Sequence, residues 1–65
     1  MKKVEENFLS FIKDFLKEHG YSPNFREIAG EFNCSTSTVH KVVHALKEKG
    51  FIDFEEGKYR TIKIV

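Results

Sequence analysis

Two short apolar stripes on either side of one sharp turn constrain this chain more than any other feature in it. Phe25, Ile28, Ala29 and Phe32 fall three and four residues apart, the spacing of one buried face on a short helix. Val39, Val42, Val43 and Leu46 repeat that spacing on a second helix. Between the stripes, Asn33 tolerates the left-handed backbone that a sharp turn needs, and Cys34 supplies a small apolar plug. Two short helices joined in this way form a helix-turn-helix, whose second helix can enter a DNA major groove. The outer side of that second helix carries Ser35, Thr36, Ser37, His40, Lys41 and His44. All six can donate hydrogen bonds to bases or phosphates, and none is acidic.

The flanking segments complete a known architecture. Val4 to His19 is amphipathic, with Val4, Phe8, Leu9, Phe11, Ile12, Phe15 and Leu16 on one side and Gly20 as its stop signal. Ser22 precedes Pro23 and is pushed toward extended geometry, so residues 21–23 turn the chain. Asn24 with Glu27 reads as a capping-box start for the second helix. The third helix begins near Ser35 or Thr36, runs to Lys49 and stops at Gly50. After it the apolar period changes to two, over Phe51 to Glu55 and again over Lys58 to Val65, with Glu56-Gly57 between them. Ile52 and Phe54 are answered by Ile62 and Ile64. The expected fold is mostly α with a small antiparallel β-hairpin: a winged helix-turn-helix, with residues 1–65 as one domain. Helix 35–49 is the major-groove element and the 51–65 hairpin the wing. Phe8, Phe15, Ile28, Phe32, Val39, Val42 and Leu46 are expected to form the shared core.

With 65 residues, seven of them phenylalanine, the chain can bury one small core. A single cysteine forms no internal disulfide, which points to a reducing, cytoplasmic setting. No apolar run approaches a membrane span. The net charge is only +1, from 11 basic and 10 acidic residues. Its distribution is more telling than its sum, because residues 32–47 and 58–65 contain no acid. These two windows create a positive face of the kind that contacts phosphate.

On the wing, Lys58 and Arg60 read as phosphate anchors, while Glu55 and Glu56 should keep the tip out of the groove. His40 and His44 stand at i, i+4 and could hold a metal, but no third ligand shares their helix face, so no metal site and no cofactor are expected. Cys34 is read as part of the core. There is no glycine-rich phosphate loop, metal constellation or nucleophile–base pair, so the chain is not expected to be an enzyme. The competing reading is a winged-helix protein-interaction module that never meets DNA. It calls for acidic or apolar residues on the outer face of the third helix, and that face has neither. No further apolar surface offers an obligate interface, so a monomer, or a weak homodimer on two DNA half-sites, is expected.

Several stretches in order also resemble the DNA-binding domain of LexA-type repressors. They are Gly20-Tyr21-Ser22-Pro23, Arg26-Glu27-Ile28-Ala29, Ser37-Thr38-Val39-His40, Ala45-Leu46, Lys49-Gly50-Phe51-Ile52 and Arg60-Thr61-Ile62-Lys63-Ile64. The resemblance covers nearly the whole chain. It implies a winged helix-turn-helix that reads promoter DNA for a bacterial- or phage-type transcriptional repressor, with recognition residues at positions 35–41. The turn between helices two and three is one residue shorter than the family's usual form. The chain ends where the family's C-terminal domain would begin. That domain supplies dimerisation and a serine–lysine self-cleavage site, so self-cleavage is not carried over.

Overall fold

A computed structural model describes residues 2–58 and 60–65. Three helices, α1 (Lys3–His19), α2 (Phe25–Phe32) and α3 (Thr36–Glu48), precede two short strands, β1 (Ile52–Asp53) and β2 (Lys63–Ile64). The strands pair antiparallel, with Ile52 opposite Ile64 and Asp53 opposite Lys63. This is the winged helix-turn-helix the sequence implies. No helix among the described residues is long and apolar enough to cross a membrane.

Local chemistry sets the helix ends. Gly20 closes α1 at φ 77° and returns its N–H to the Leu16 carbonyl at 2.9 Å. Asn24 and Glu27 form the expected capping box: the Asn24 side chain accepts the Glu27 N–H at 2.8 Å, and the Glu27 carboxylate accepts the Asn24 N–H at 2.9 Å. Asn33 ends α2 in the left-handed region at φ 53°, and the Cys34 N–H also bonds the Ala29 carbonyl, at 3.0 Å. Gly50 at φ 83° then lets the chain double back after α3. The N–H groups of Gly50 and Phe51 bond the carbonyls of Lys47 and Leu46, both at 3.0 Å, which is a Schellman ending.

The core is the place where three helices and the hairpin share one set of side chains. Phe8 and Ile12 of α1, Ile28 of α2, and Val39, Val43 and Leu46 of α3 are all 0–1% exposed. Ile52, Phe54 and Ile62 bring the wing onto the same cluster. Phe8 stacks on Phe32 with ring centroids 4.3 Å apart, and Phe11 meets Phe32 edge-on at 5.7 Å.

Four expectations about the core and hairpin need correcting. Phe15 is only half-buried; it leads an aromatic chain running out to His19 and Tyr21 rather than into the core. Phe32 and Val42 pack against the buried cluster but remain partly exposed, while Ile12 and Val43, members of the apolar stripes left out of the expected shared core, are fully buried. Val4 lies 43% exposed. Finally, the ladder is much shorter than the alternation 51–55 and 58–65 implies. Side chains take over from ladder bonds there: Asp53 accepts the Phe54 N–H through Oδ1 at 2.9 Å, and the Thr61 hydroxyl accepts the Glu55 N–H at 2.9 Å.

Glu5 is the buried charged residue among the described residues. Its carboxylate is 6% exposed and accepts two hydrogen bonds at Oε1, from Lys49 Nζ at 2.7 Å and from the Lys2 N–H at 3.1 Å. The contact joins the start of α1 to the end of α3. The Lys49 ammonium and the Lys2 N–H hold the Glu5 carboxyl below its ordinary value. A carboxyl lowered by folding stabilises the native state above its unfolded value, about 4.3, and that contribution fades as pH falls through the lower folded value. The melting temperature of the native chain should therefore drop on acidification below about pH 4.3, and Glu5→Gln should melt lower near neutrality with a shallower acid slope. Melting curves between neutral and strongly acidic pH check both. Chemical denaturation tests the core: Phe8→Ala should cost about 3–5 kcal/mol, and half-buried Phe15→Ala roughly 1–2 kcal/mol.

Candidate nucleic-acid interface

The outer face of α3 follows from how the helix begins and what it buries. Ser35 is its N-cap, with Oγ accepting the Thr38 N–H at 3.2 Å and lying 3.1 Å from the Thr38 hydroxyl. One of the three consecutive hydroxyls therefore caps, leaving those of Thr36 and Ser37 exposed in the first turn. No acidic residue lies in that turn, so the positive end of the helix dipole is open toward anions. With Val39, Val43 and Leu46 fully buried, helical geometry places Ser37, His40, Lys41 and His44 on the opposite side. Lys41 is exposed there, and no ion pair holds its ammonium among the described residues.

The wing is anchored to the α1–α2 connection by Ser22, which sequence reasoning treated only as the residue before a proline. Ser22 is 2% exposed. Its hydroxyl donates to the Pro23 carbonyl at 3.1 Å and accepts the Ile62 N–H at 3.2 Å. Beside it, Arg60 adopts φ 57°, an unusual backbone for a residue with a side chain. Its guanidinium donates to the Ser22 carbonyl at 3.0 Å, meets Glu27 Oε1 at 3.0 Å, and lies 4.7 Å above the Tyr21 ring. Glu27 is held below its ordinary value, first by the Asn24 N–H and then by Arg60.

Arg60, expected as a phosphate anchor, is exposed and shares its guanidinium with Glu27 and the Ser22 carbonyl. Lys58 remains on the outside, 71% exposed, with Glu55 Oε2 at 3.6 Å as a loose partner. The turn between them is the one the sequence implies: the Lys58 N–H bonds the Glu55 carbonyl at 3.3 Å across Glu56 and Gly57, with Gly57 at φ 74° as that reversal requires.

That turn carries Glu56 onto α3. Glu56 Oε1 lies 2.7 Å from His44 Nε2, Glu56 Oε2 lies 3.8 Å from His40 Nε2, and the two Nε2 atoms are 3.2 Å apart. His44 packs edge-on against Phe54 and His40 against Phe25. The wing tip thus lies against the outer face of the helix, a contact that the spacing of residues along the chain does not announce. A third donor group beside the two imidazoles, absent from the helix face itself, comes from the hairpin, 12 residues beyond His44 along the chain. Charge windows counted along the chain could not reveal this, because the acid enters the window only in space.

Residues 3–61 match the family model described as the LexA DNA binding domain. The LexA repressor of Caldicellulosiruptor saccharolyticus is 44% identical over 66 residues, which cover 100% of this chain and 33% of that protein. The LexA repressor of Thermosipho melanesiensis is 38% identical over 68 residues, covering 100% of this chain and 34% of that protein. The LexA repressor of Shouchella clausii is also 38% identical, over 66 residues, covering 100% and 32%. The chain spans about a third of the length of these relatives.

The Ser22 anchor makes a direct prediction. Ser22→Ala leaves the buried Ile62 N–H without its acceptor and should destabilise the fold by about 1–3 kcal/mol. Hydrogen exchange should show the Ile62 amide losing protection before those of α1, since the wing loosens first.

Proposed function

The chain belongs to the LexA DNA binding domain family, and on that premise we propose that it reads double-stranded DNA sequence-specifically for a bacterial- or phage-type repressor, in the cytoplasm. The observation that carries the reading is the division of α3 into two faces. Val39, Val43 and Leu46 lock one face into the core, while Thr36, Ser37, His40 and Lys41 stand exposed on the other. A major groove about 12 Å wide admits such a helix with its first turns against the base edges.

Within this reading Lys41 is the main base reader, because its ammonium can donate to the O6 and N7 acceptors of guanine. His40 and the hydroxyls of residues 35–37 donate to purine N7 or to phosphate, and His44 joins them only by releasing Glu56. Lys58 is the wing's phosphate contact. Arg60, tied to Glu27 and Ser22, fixes the wing's position instead. One module of this size neutralises few phosphates, so the chain acts as a monomer in free solution, or as a weak homodimer over two half-sites on DNA.

Two variants separate reading from holding. Lys41→Ala should weaken the preferred duplex by about 1–3 kcal/mol while sparing scrambled DNA. Lys58→Ala should weaken both about equally and reduce the salt slope by roughly 1. Fluorescence-anisotropy titrations against both duplexes at several salt concentrations measure this. Loss of discrimination in Lys58→Ala but not in Lys41→Ala would show that the wing reads the bases. No binding by the native chain to any duplex at low salt would favour a protein-interaction role.

A further inference from the structure

The junction between α3 and the wing tip brings together three side chains whose donor atoms lie close to one another. The relevant atoms are Nε2 of His40, Nε2 of His44 and a carboxylate oxygen of Glu56, all within 4.8 Å of one another. We propose that these residues form a binding site for a divalent first-row transition-metal ion of the zinc type.

Geometry is the first support. Ligand atoms at about 2.0–2.1 Å from a tetrahedral metal stand roughly 3.3–3.5 Å from each other. The two Nε2 atoms are 3.2 Å apart, and the His40–Glu56 separation is 3.8 Å. His44 and Glu56 are closer, at 2.7 Å, the length of a charge-assisted hydrogen bond that a cation would replace by moving them a fraction of an ångström apart. Two imidazoles at i, i+4 on one helix turn supply the pair of nitrogens, and a carboxylate from a separate loop supplies the oxygen.

Preorganisation is the second. The edge of the Phe54 ring holds His44 with centroids 5.2 Å apart, and Phe25 holds His40 in the same manner at 5.7 Å. The hairpin turn that carries Glu56 is fixed by Gly57 and by the double Thr61–Glu55 bond at its base. The donor set is therefore assembled by packing that does not itself need the ion.

The donors also select the ion's class. Two neutral imidazoles and one carboxylate suit zinc, cobalt or nickel rather than calcium or magnesium, which take oxygen ligands. Each ring coordinates through Nε2 as its Nδ1–H tautomer. Three protein ligands leave one position for water, and the half-exposed location gives the ion a direct path from solvent.

Calorimetric titration of zinc chloride into the native chain, in a buffer that does not chelate, is the test. One equivalent should bind. Glu56→Gln should weaken binding by about tenfold or more, and His40→Gln and His44→Gln by at least as much, since each removes one of three ligands. His19→Gln and Cys34→Ser should leave the affinity unchanged, as both lie outside the cluster. Cobalt in place of zinc should give a tetrahedral visible spectrum without a thiolate charge-transfer band. Glu56→Gln and His40→Gln alter exposed side chains, so both should keep the native melting behaviour. Zinc affinity undiminished by Glu56→Gln and by the double His40→Gln, His44→Gln variant would overturn the proposal. So would loss of binding in Cys34→Ser.

Discussion

The apolar stripe of α3 is the surface on which every other element closes. Val39, Val43 and Leu46 are fully buried in a cluster to which α1, α2 and β1 all contribute, each of them packed against α3. A helix of 13 residues is marginal on its own, so α3 exists as a helix because its inner face is covered. Its outer face is fixed by the same packing, since a residue's side of a helix follows from its number once the buried side is set. The orientation of Lys41 and His40 is therefore a consequence of burying Val39 and Val43, and substitutions in that stripe would disturb both stability and any surface the helix presents.

The hairpin solves a different problem. Two residue pairs of ladder are too few to hold a β-ribbon in water. The wing is held instead by its apolar residues, Ile52, Phe54 and Ile62, and by polar bonds to distant parts of the chain. Ser22 accepts the Ile62 N–H from 40 residues away, and Lys47 Nζ caps the Phe54 carbonyl at 3.0 Å while lying over the Phe54 ring. Arg60 takes a left-handed backbone in order to place its guanidinium between Glu27 and Tyr21, contacts that offset the conformational cost. A wing tethered at its base in this way can carry Glu56 at its tip to a defined place on α3.

What was legible in the sequence was local. Gly20, the Asn24–Glu27 box, Asn33 and Ser35 each bound a helix through contacts within four residues, so residue type and spacing suffice to read them. The apolar stripes likewise gave the fold class. Phe15 shows the limit: it occupies the same stripe as Phe8 and Ile12, yet its ring turns to His19 and Tyr21 while neighbouring Leu16 packs on the core, a difference that periodicity does not mark. The contacts that place the wing were not legible at all. Ser22 with Ile62 joins residues 40 positions apart, and the Glu5–Lys49 pair that ties α1 to α3 joins residues 44 apart; nothing in their neighbours announces the partner. The same holds for Glu56, whose effect on the helix face is electrostatic and whose sequence neighbourhood marks only a turn.

Glu56 also decides what the two histidines can do. Its carboxylate accepts from His44 and lies near His40, which places a negative charge on the outer face of α3, where phosphate would approach on the proposed reading. A divalent cation bound there would change the local charge by two units and remove that repulsion. It would also take the Nε2 lone pairs, and a nitrogen coordinated to a metal has no N–H to give a base edge. Long-range attraction and short-range reading are thus altered in opposite directions by one event. Lys41, which is no ligand, keeps its donors in either state, and the wing tip would be pinned to the helix rather than merely bonded to it. On the proposals above, Glu56 would link metal binding at this junction to DNA reading by α3 through specific atoms, and any such linkage must act equally in both directions.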